Sequence, residues 1–388
     1  MKRLTFIFFL FVSHSLWGQN PVANFTTPLA ACLQEKLTLT NNSTNADTYA
    51  WDFCLNDFFT LKSTTDAAIL SGLSGGYGYK LIQSNGQWFG FATSLNNNKL
   101  FRLDFGNDPS NVPTITDLGN PGNKLFLPEG IDITEVNGEW FGFVGSLDFS
   151  SPAQGIIRLD FGNSLMNLPS ATNLGNFGFS TRFRDLKIIK QDADLILLLS
   201  NYNGNSLVGV NYRDSFENPI SAPNIFDFGT ITGMSLPVGL DVVKVNANWI
   251  ALVASRGNSQ INQLNFGSNI LSVPSVEGSY SFSGVSNPYK IKLTLEGDNY
   301  FAVVSNESIP IQLIDFHDLN PANAPSAITH AGLPVLLGIE SIRNKGLGLV
   351  IGVGLSDNKL KRVTFEAPCN ASIAYSESAI PSDIVYTS

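Results

Sequence analysis

An apolar decamer that recurs along the chain is the feature that most limits the possible folds. NGQWFGFATS (85–94) returns as NGEWFGFVGS (137–146) and, in a more divergent form, as NANWIALVAS (246–255). The central bulky residue recurs at intervals of 52, 55, 54, 51 and 47 residues, at Trp88, Trp140, Leu195, Trp249, Tyr300 and Leu347. Self-similarity at a period of roughly 20–50 residues is typical of solenoids, propellers and other repeat folds.

Two further marks keep the same order and phase. LDFGN (103–107), LDFGN (159–163), LNFGS (264–268) and LIDFHD (313–318) share one mark, with GVNYRD (209–214) and RVTFEA (362–367) as weaker copies. A proline precedes a short alternating segment in five repeats, at Pro113, Pro169, Pro223, Pro274 and Pro325. Each repeat is interpreted as four short strands, and a repeated four-stranded unit of this kind is a β-propeller blade. The sequence therefore predicts an all-β fold.

The number of repeats predicts how the ring closes. Five repeats are complete within 77–333, whereas the sixth, at 336–366, stops after its third strand. The segment STTDAAILSGLSG (63–75) resembles the fourth-strand segment VPTITDLGNPG (112–122). We predict a six-bladed β-propeller over 60–366 whose N-terminal strand closes the last blade, because such closure removes an exposed sheet edge.

The N-terminus predicts export. The basic MKR is followed by the apolar run LTFIFFLFV (4–12), which is too short to span a bilayer, so residues 1–19 are interpreted as a signal peptide. We expect a secreted or cell-surface protein without a transmembrane segment. The net charge is −9 and no basic stripe is present, which argues against nucleic-acid binding.

The segments on either side of the repeats resemble a known module. VANFT (22–26), LTLTNNST (37–44) and YAWDF (49–53) resemble the PKD family, an immunoglobulin-like β-sandwich, and the 369–388 segment resembles the middle of that family, with Pro381 and Tyr386 at matching positions. The resemblance implies a partial sandwich built from 20–56 and an apparently truncated 367–388, interrupted by the propeller. The combination is similar to large surface proteins of gliding bacteria, and implies that other domains of such a protein are partners.

Three cysteines follow the predicted signal peptide: Cys32, Cys54 and Cys369. Cys54 and Cys369 flank the propeller, and ring closure should bring them together, so we predict a disulfide between them. Cys32 is the alternative partner for either. No C-x-x-C spacing occurs, and neither a metal site nor a cofactor is predicted.

Isolated catalytic motifs have simpler interpretations. Ser74 lies in GLSGG, but it falls between two strands, where a nucleophile elbow needs a strand followed by a helix. His317 and His330 are separate turn or loop residues. The repeated Asp104, Asp160 and Asp315 precede turns and suit turn hydrogen bonds better than a metal site. We predict no catalytic residue from these motifs.

One set of positions is a candidate ligand site. The residue just before each innermost strand should face the central channel. These residues are Tyr77, Glu129, Arg184, Val238, Tyr289 and Leu337. Tyrosine faces with one acid and one base could bind a sugar or a peptide, so Tyr77, Glu129, Arg184 and Tyr289 are the predicted ligand-binding residues. The alternative is that the six side chains merely close the channel.

The sequence leaves two classes of function open. The first hypothesis is an exported, non-catalytic binding or adhesion scaffold, with the propeller as a platform for a carbohydrate or protein ligand. The alternative is a carbohydrate-active hydrolase or lyase at the channel mouth. Few histidines and no clustered carboxylates favour the first hypothesis, because glycosidases of the usual kind require paired carboxylates.

Overall fold

The protein was analysed as a computed structural model that describes residues 22–26, 36–46, 49–54, 57–146, 155–179, 182–219, 224–355, 357–367, 369, 371, 375–380 and 384–385. The predicted signal peptide and Cys32 lie outside the described residues. The chain divides into two compact units, one formed by 1–54 with 369–388 and the other by 55–368. The helices described are two 3₁₀ turns, Asp57–Phe59 and Pro121–Asn123, and no helix of the described ranges has the length and apolarity to cross a membrane.

Among the described residues of the smaller unit's first segment, four short strands are present. They are β1 (Phe25–Thr26), β2 (Lys36–Leu37), β3 (Thr40–Asn41) and β4 (Trp51–Asp52). Strands β1 and β3 pair in antiparallel fashion, and an isolated bridge joins Val22 to Thr44 beside them. These short pairings give the smaller unit its β structure.

Twenty-four strands lie in the described part of the larger unit, and they form from alternating apolar segments separated by turns. The first half comprises β5 (Leu61–Ile69), β6 (Gly76–Ser84), β7 (Gln87–Ser94), β8 (Lys99–Gly106), β9 (Thr114–Gly119), β10 (Pro128–Val136), β11 (Glu139–Ser146), β12 (Ile157–Gly162), β13 (Ser170–Asn173), β14 (Phe183–Gln191), β15 (Asp194–Asn201) and β16 (Ser206–Asn211). The second half comprises β17 (Ile225–Asp227), β18 (Pro237–Val245), β19 (Asn248–Ser255), β20 (Gln260–Asn265), β21 (Ser275–Tyr280), β22 (Pro288–Glu296), β23 (Asn299–Asn306), β24 (Gln312–Asp315), β25 (Ser326–Ile328), β26 (Gly338–Asn344), β27 (Leu347–Val353) and β28 (Lys359–Phe365).

The Asn-Gly pairs at the start of the decamers make the hairpins. Asn85 and Gly86 have φ values of 49° and 72°, and Asn137 and Gly138 have φ values of 53° and 84°. Two successive residues with positive φ give the type I′ turn that joins antiparallel strands with the correct twist. The first two strands of these repeats therefore form as tight local hairpins.

The strands form the predicted all-β propeller. Four sheets have four antiparallel strands each, in the orders β6-β7-β8-β9, β18-β19-β20-β21, β22-β23-β24-β25 and β26-β27-β28-β5. In the last of these, β5 pairs with β28, so the N-terminal strand completes the sheet of the last repeat. The pairing covers an edge of β28 that would otherwise be open to another chain.

A fifth sheet has eight strands. It contains the antiparallel runs β10-β11-β12-β13 and β14-β15-β16-β17, which are joined by one residue pair, Ser146 with Phe183. The innermost strands contact one another around a closed circuit, in the order β6, β10, β14, β18, β22, β26 and again β6. This circuit of innermost strands is called the inner ring below.

The core lies between neighbouring sheets, which explains the apolar decamer. In β7, Trp88 and Ala92 pack on one side with residues of the last sheet such as Val353. Phe89 and Phe91 pack on the other side with residues of the next sheet. A central strand that is buried on both faces needs bulky side chains at successive positions.

The second segment of the smaller unit returns to the first. Strand β29 (Tyr375–Ser376) pairs with β4, and β30 (Ile384–Val385) pairs with β2. A disulfide joins Cys54 to Cys369, whose Cα atoms are 5.6 Å apart, as predicted. The two segments are thus joined by both strand pairing and a covalent bond.

Candidate functional site

The inner ring brings the predicted site residues together at one of its ends. Tyr77, Glu129, Arg184 and Tyr289 each lie in the first two residues of an innermost strand, at the same phase of their repeats. Tyr289 forms a buried cluster with Val238 and Leu337, and Tyr77 packs against this cluster. The sequence-predicted positions therefore converge, although they come from repeats that are far apart in the chain.

A bidentate ion pair lies at the centre of this cluster. Arg184 donates from Nε to Glu129 Oε2 at 2.7 Å and from Nη2 to Glu129 Oε1 at 2.6 Å. Glu129 is fully buried and Arg184 nearly so. Burial by itself would lower the pKa of Arg184, but the Glu129 carboxylate outweighs burial and raises that pKa. The pair is held by charge-assisted hydrogen bonds in a site that water does not reach.

Two tyrosines complete the surroundings of this ion pair. The Tyr289 hydroxyl donates to Glu129 Oε1 at 2.6 Å and also contacts Arg184 Nη2. Burial, reinforced by Glu129, raises the pKa of Tyr289 well above its ordinary value, so this hydroxyl keeps its proton and acts as a donor. The Tyr77 and Tyr289 rings meet edge to face, with centroids 5.1 Å apart. Tyr77 is only half-buried, whereas Tyr289 is 1% exposed, which differs from the open concavity that the sequence predicts.

A hydroxyl in the neighbouring strand positions the Glu129 backbone. Thr93 Oγ1 donates to the Glu129 carbonyl at 2.7 Å and accepts from the Gly78 amide at 2.8 Å. A Cβ added to Gly78 would collide with the Glu129 carbonyl oxygen, so glycine permits this close approach. Glu129 is therefore fixed through both its side chain and its main chain.

Three further residues extend the cluster toward solvent, and the sequence analysis did not select them. Tyr202, Arg256 and Glu307 each follow the second strand of their repeat directly. Their amides donate to loop carbonyls at equivalent places: Tyr202 to Arg182 at 3.1 Å, Arg256 to Leu236 at 3.2 Å, and Glu307 to Asn287 at 3.2 Å. The residue after each decamer-like strand is polar or aromatic in only three of the six repeats, so the repeat pattern gives a weak signal for this position.

The outer residues are linked to one another and to the buried pair. Arg256 Nη2 donates to Glu307 Oε2 at 2.6 Å, and Arg256 Nη1 donates to Tyr202 Oη at 3.5 Å. The guanidinium carbon of Arg184 lies 4.9 Å from the Tyr202 ring centre, which gives a cation–π contact. The side chains of Arg256 and Glu307 are 26% and 33% exposed, so they form the rim of the cluster.

Tyr77 experiences the charges of both the buried and the outer carboxylate. Burial raises the pKa of Tyr77, the Glu129 and Glu307 carboxylates raise it further, and Arg184 opposes them.

The mouth cluster is defined here as Tyr77, Glu129, Arg184, Tyr202, Arg256, Tyr289 and Glu307. It combines two carboxylates, two guanidiniums and three phenols at one end of the inner ring.

A second set of charged side chains occupies the inner ring three residues further along each innermost strand. These residues alternate in sign from repeat to repeat: Lys80, Asp132, Lys187, Asp241, Lys292 and Glu340, called the charge ring here. Its ion pairs are Lys80 with Asp132 at 2.7 Å, Lys187 with Asp241 at 2.6 Å, and Lys292 with Glu340 at 3.1 Å. Asp185 and Lys290 form one more buried pair, beside the charge ring. Each buried carboxylate of the inner ring therefore has a cationic partner.

The pKa shifts follow from this alternation. Burial alone would raise the pKa of Asp132, but the charges of Lys80, Lys187 and Lys292 outweigh it and hold that pKa at about 2. Burial likewise opposes ionisation of Asp241, whose pKa is nevertheless lowered by Lys187 and Lys292. These two carboxylates are ionised, and lysine side chains neutralise their charge. The charge ring is therefore better suited to closing the centre of the inner ring than to transferring protons.

The isolated motifs act in turns and loops. The Ser74 amide donates to Ser94 Oγ at 2.8 Å, which ties the connection before β6 to β7. Asp104 Oδ1 accepts from the Gly106 amide at 3.1 Å, and Asp315 Oδ1 accepts from the His317 amide at 2.7 Å. These are turn hydrogen bonds. Within the described residues, no group of three or more His, Cys, Asp or Glu side chains could hold a metal ion.

Comparisons with known proteins relate the fold to glycoside hydrolases. No protein-family model matches the chain, and no curated protein matches its sequence. An exo-β-1,3-galactanase from Phanerochaete chrysosporium, solved with β-1,3-galactotriose, has a TM-score of 0.50 at 13% identity over 80% of this chain and 72% of its own. A thermostable family-43 glycoside hydrolase has a TM-score of 0.48 at 12% identity, over 69% of this chain and 98% of its own. The family-62 α-L-arabinofuranosidase domain of Coprinopsis cinerea has a TM-score of 0.46 at 11% identity, over 79% of this chain and 98% of its own. Identities this low concern the fold alone.

The resemblance to a PKD module in a surface protein of gliding bacteria is wrong. No family model matches the chain, and the solved structure named above with a TM-score of 0.50 is a glycoside hydrolase without that assignment. The matching residues were short alternating segments with a Trp-Asp-Phe run. Such patterns arise in any strand that is buried on one face, so they indicate β structure without identifying a family.

The prediction of a non-catalytic adhesion scaffold is also wrong. The galactanase, whose TM-score reaches 0.50, is a carbohydrate-active enzyme, and none of the similar structures named above is an adhesion protein. Few histidines and a lack of clustered carboxylates were the reasons for predicting a non-catalytic protein. This reasoning missed Glu307, because that residue comes from a different strand end and reaches the mouth cluster only in the folded ring.

Proposed function

We propose that the protein is a carbohydrate-active hydrolase that binds a glycan at the mouth cluster. The observation that carries the proposal is that the mouth cluster holds two carboxylates among tyrosine rings: Tyr289 donates to Glu129, and Arg256 links Glu307 to Tyr202. Glycoside hydrolysis commonly uses two carboxyl groups on either side of the glycosidic bond. Tyrosine rings beside them supply faces on which a sugar ring can stack.

The two carboxylates have surroundings that suit different roles. Glu129 accepts from Arg184 and Tyr289, and this pair of donors suits the role of base or nucleophile. Glu307 lies at the rim beside Arg256, and it takes the role of general acid toward the leaving oxygen once it has bound a proton from solvent. Because Glu129 is fully buried, substrate reaches it only after a half-buried member of the cluster such as Tyr77 rotates aside.

The fold likeness supports a glycan as the substrate class. The galactanase of similar fold was solved with β-1,3-galactotriose. Similarity of fold does not transfer a substrate, so the choice among galactan, xylan and arabinan is left to assay. The mouth cluster contributes the independent argument, because its carboxylates, arginines and tyrosines can hydrogen-bond and stack on a polyhydroxylated ring.

The proposal includes a finer description of the architecture. We propose that the eight-stranded sheet counts as two blades, which gives six, because each of its halves contributes one strand to the inner ring. We propose domains at 20–56 with 367–388 and at 60–366, and a partial immunoglobulin-like sandwich for the smaller one, without the PKD assignment. Export through the signal peptide 1–19 completes the proposal.

The test is hydrolysis of defined glycans by the purified full chain. We expect release of sugars from at least one of β-1,3-galactan, xylan and arabinan. Glu129→Gln and Glu307→Gln should each lower kcat by about 100-fold or more, because each removes one of the two proton-transfer groups. Glu366→Gln is the matched control, since Glu366 is an exposed residue that pairs with Lys62.

Two results would overturn the proposal. One is full activity in both Glu129→Gln and Glu307→Gln. The other is the lack of any hydrolysis across the three polymers by wild-type protein whose cooperative unfolding shows that it is folded. A loss of activity in Glu366→Gln equal to that in Glu307→Gln would show that the effect is not specific to the mouth cluster.

A further inference from the structure

A cavity of about 480 Å³ adjoins the mouth cluster and has no role in the proposed chemistry. It lies between the loops of the last two repeats. Its lining residues are Glu307, Ser308, Pro334, Val335, Gly354, Leu355, Asp357 and Lys361. Glu307 belongs to both the cavity and the mouth cluster. The volume falls in the lower half of the range of roughly 300–1,000 Å³ that is usual for small-molecule sites.

The inner wall of the cavity lies next to Tyr77. A Cβ added to Gly76 would lie 3.0 Å from the Gly354 carbonyl oxygen, so the residue before Tyr77 touches the cavity wall. The cavity therefore lies beside the mouth cluster, since Glu307 belongs to both and Gly354 in its wall adjoins the strand that carries Tyr77. A chain-like ligand bound at the mouth cluster would extend into it.

The walls of the cavity combine apolar and polar surfaces. Val335 and Leu355 are 38% and 37% exposed, which leaves apolar surface open to a ligand. Ser308, Asp357 and Lys361 supply a hydroxyl, a carboxylate and an ammonium group. A sugar ring has C–H faces and an equatorial rim of hydroxyls, and it can use both kinds of surface at once.

Ion pairs hold the charged wall in place. Lys361 Nζ lies 2.9 Å from Asp357 Oδ2 and 3.0 Å from Asp66 Oδ1. Burial would lower the pKa of Lys361, but hydrogen bonds to Asp357 and Asp66 outweigh it and raise that pKa. The ammonium group thus stays charged and anchored, and its position requires no ordering when a ligand binds.

We infer that this cavity is a subsite for the glycan unit next to the one held at the mouth cluster, so that affinity rises with oligosaccharide length. The inference rests on the proposed function for the glycan class, but it concerns binding and is separable from hydrolysis. Its test therefore measures affinity by calorimetry and hydrolysis in parallel. The probes are β-1,3-galacto-, β-1,4-xylo- and α-1,5-arabino-oligosaccharides, from the disaccharide to the pentasaccharide.

The variant for this test is Val335→Trp, which fills the cavity from its apolar wall. Its matched control is Val273→Trp, because Val273 is 75% exposed and lies outside the cavity. In wild type we expect affinity for one oligosaccharide series to rise about tenfold or more from the disaccharide to the longer members. Val335→Trp should abolish that rise while leaving disaccharide affinity within about twofold, and Val273→Trp should retain it. Thermal unfolding of both variants shows that they are folded.

The outcomes separate the two proposals. Length-dependent binding that Val335→Trp removes, without hydrolysis of any probe, would support the subsite and overturn the hydrolase. Hydrolysis with affinity independent of length, or a length dependence that survives Val335→Trp, would overturn the subsite alone. If no probe bound, the subsite would be overturned. Should Val335→Trp fail to fold, Leu355→Trp places the same bulk on the other apolar wall and the same outcomes apply.

Discussion

Arg184 holds Glu129 through two parallel hydrogen bonds of 2.7 and 2.6 Å, at a point in the inner ring where the carboxylate has no exposed surface. The two residues are 55 positions apart and come from successive repeats. Removing one partner of such a pair leaves the other charge buried without compensation. Substituting one residue of the pair should therefore lower the free energy of unfolding of the larger unit measurably.

Arg184→Met should destabilise the larger unit by about 3–5 kcal/mol, since it strands the Glu129 carboxylate in a buried site. Urea unfolding followed by tryptophan fluorescence measures the loss. Lys62→Met is the control, because Lys62 and Glu366 form an exposed pair whose removal should change stability by less than about 1 kcal/mol. Equal effects of the two substitutions would contradict the burial of Glu129.

Stability should fall steeply in acid because of the charge ring. The folded pKa of Asp132 is about 2, below the unfolded value of about 4, so its contribution is present above pH 4 and is lost as the pH falls toward 2. The shift corresponds to a contribution on the order of 2 kcal/mol. Urea midpoints measured between pH 7 and pH 2 should show a smaller acid slope for Asp132→Asn than for wild type. Asp298→Asn, at an exposed hairpin turn, should keep the wild-type slope.

The disulfide gives a covalent prediction for the smaller unit. Non-reducing peptide mapping should recover Cys54 linked to Cys369, and Cys54→Ser should leave a titratable thiol at Cys369. The separation of 315 residues gives a loop-entropy stabilisation of at most about 6 kcal/mol, so the variant should unfold earlier in the smaller unit. Cys32→Ser is the matched substitution and should retain the wild-type map. Recovery of a Cys32–Cys54 peptide would contradict the pairing.

Tyr77 and Tyr289 should behave differently when truncated, although they occupy the same phase of their repeats. Tyr289 is buried and donates to Glu129, so Tyr289→Ala should cost about 3–5 kcal/mol in unfolding free energy. Tyr77→Ala should cost less than half as much, because its side chain is half-buried, but it should weaken glycan binding about tenfold. Paired calorimetric titration and urea unfolding would measure both effects. A stability loss at Tyr77 that matched the loss at Tyr289 would show that Tyr77 is a packing residue.

The repeat was sufficient to predict the propeller. In each decamer, bulky apolar residues at successive positions indicate a strand that is buried on both faces. The Asn85-Gly86 and Asn137-Gly138 turns are equally local, since positive φ at two successive positions specifies a hairpin. The convergence of the four predicted site residues could be predicted from the same repeat, because equal phase in successive repeats places residues at one end of a ring. These residues are Tyr77, Glu129, Arg184 and Tyr289. The proximity of Cys54 and Cys369 followed from closure of that ring.

Only the tertiary structure decided how these residues interact. Whether a side chain at the ring end is exposed depends on the neighbours that fill the shared axis, and here Val238 and Leu337 help to bury Tyr289. The outer partners Tyr202, Arg256 and Glu307 reach the cluster from a second strand end, which no single repeat specifies. The alternating charges of Lys80, Asp132 and their equivalents can be read from the sequence. They form ion pairs only when the fold brings together strands that are about fifty residues apart in the chain. The physical reason is that electrostatic energy depends on the distance between charges in space and not along the chain.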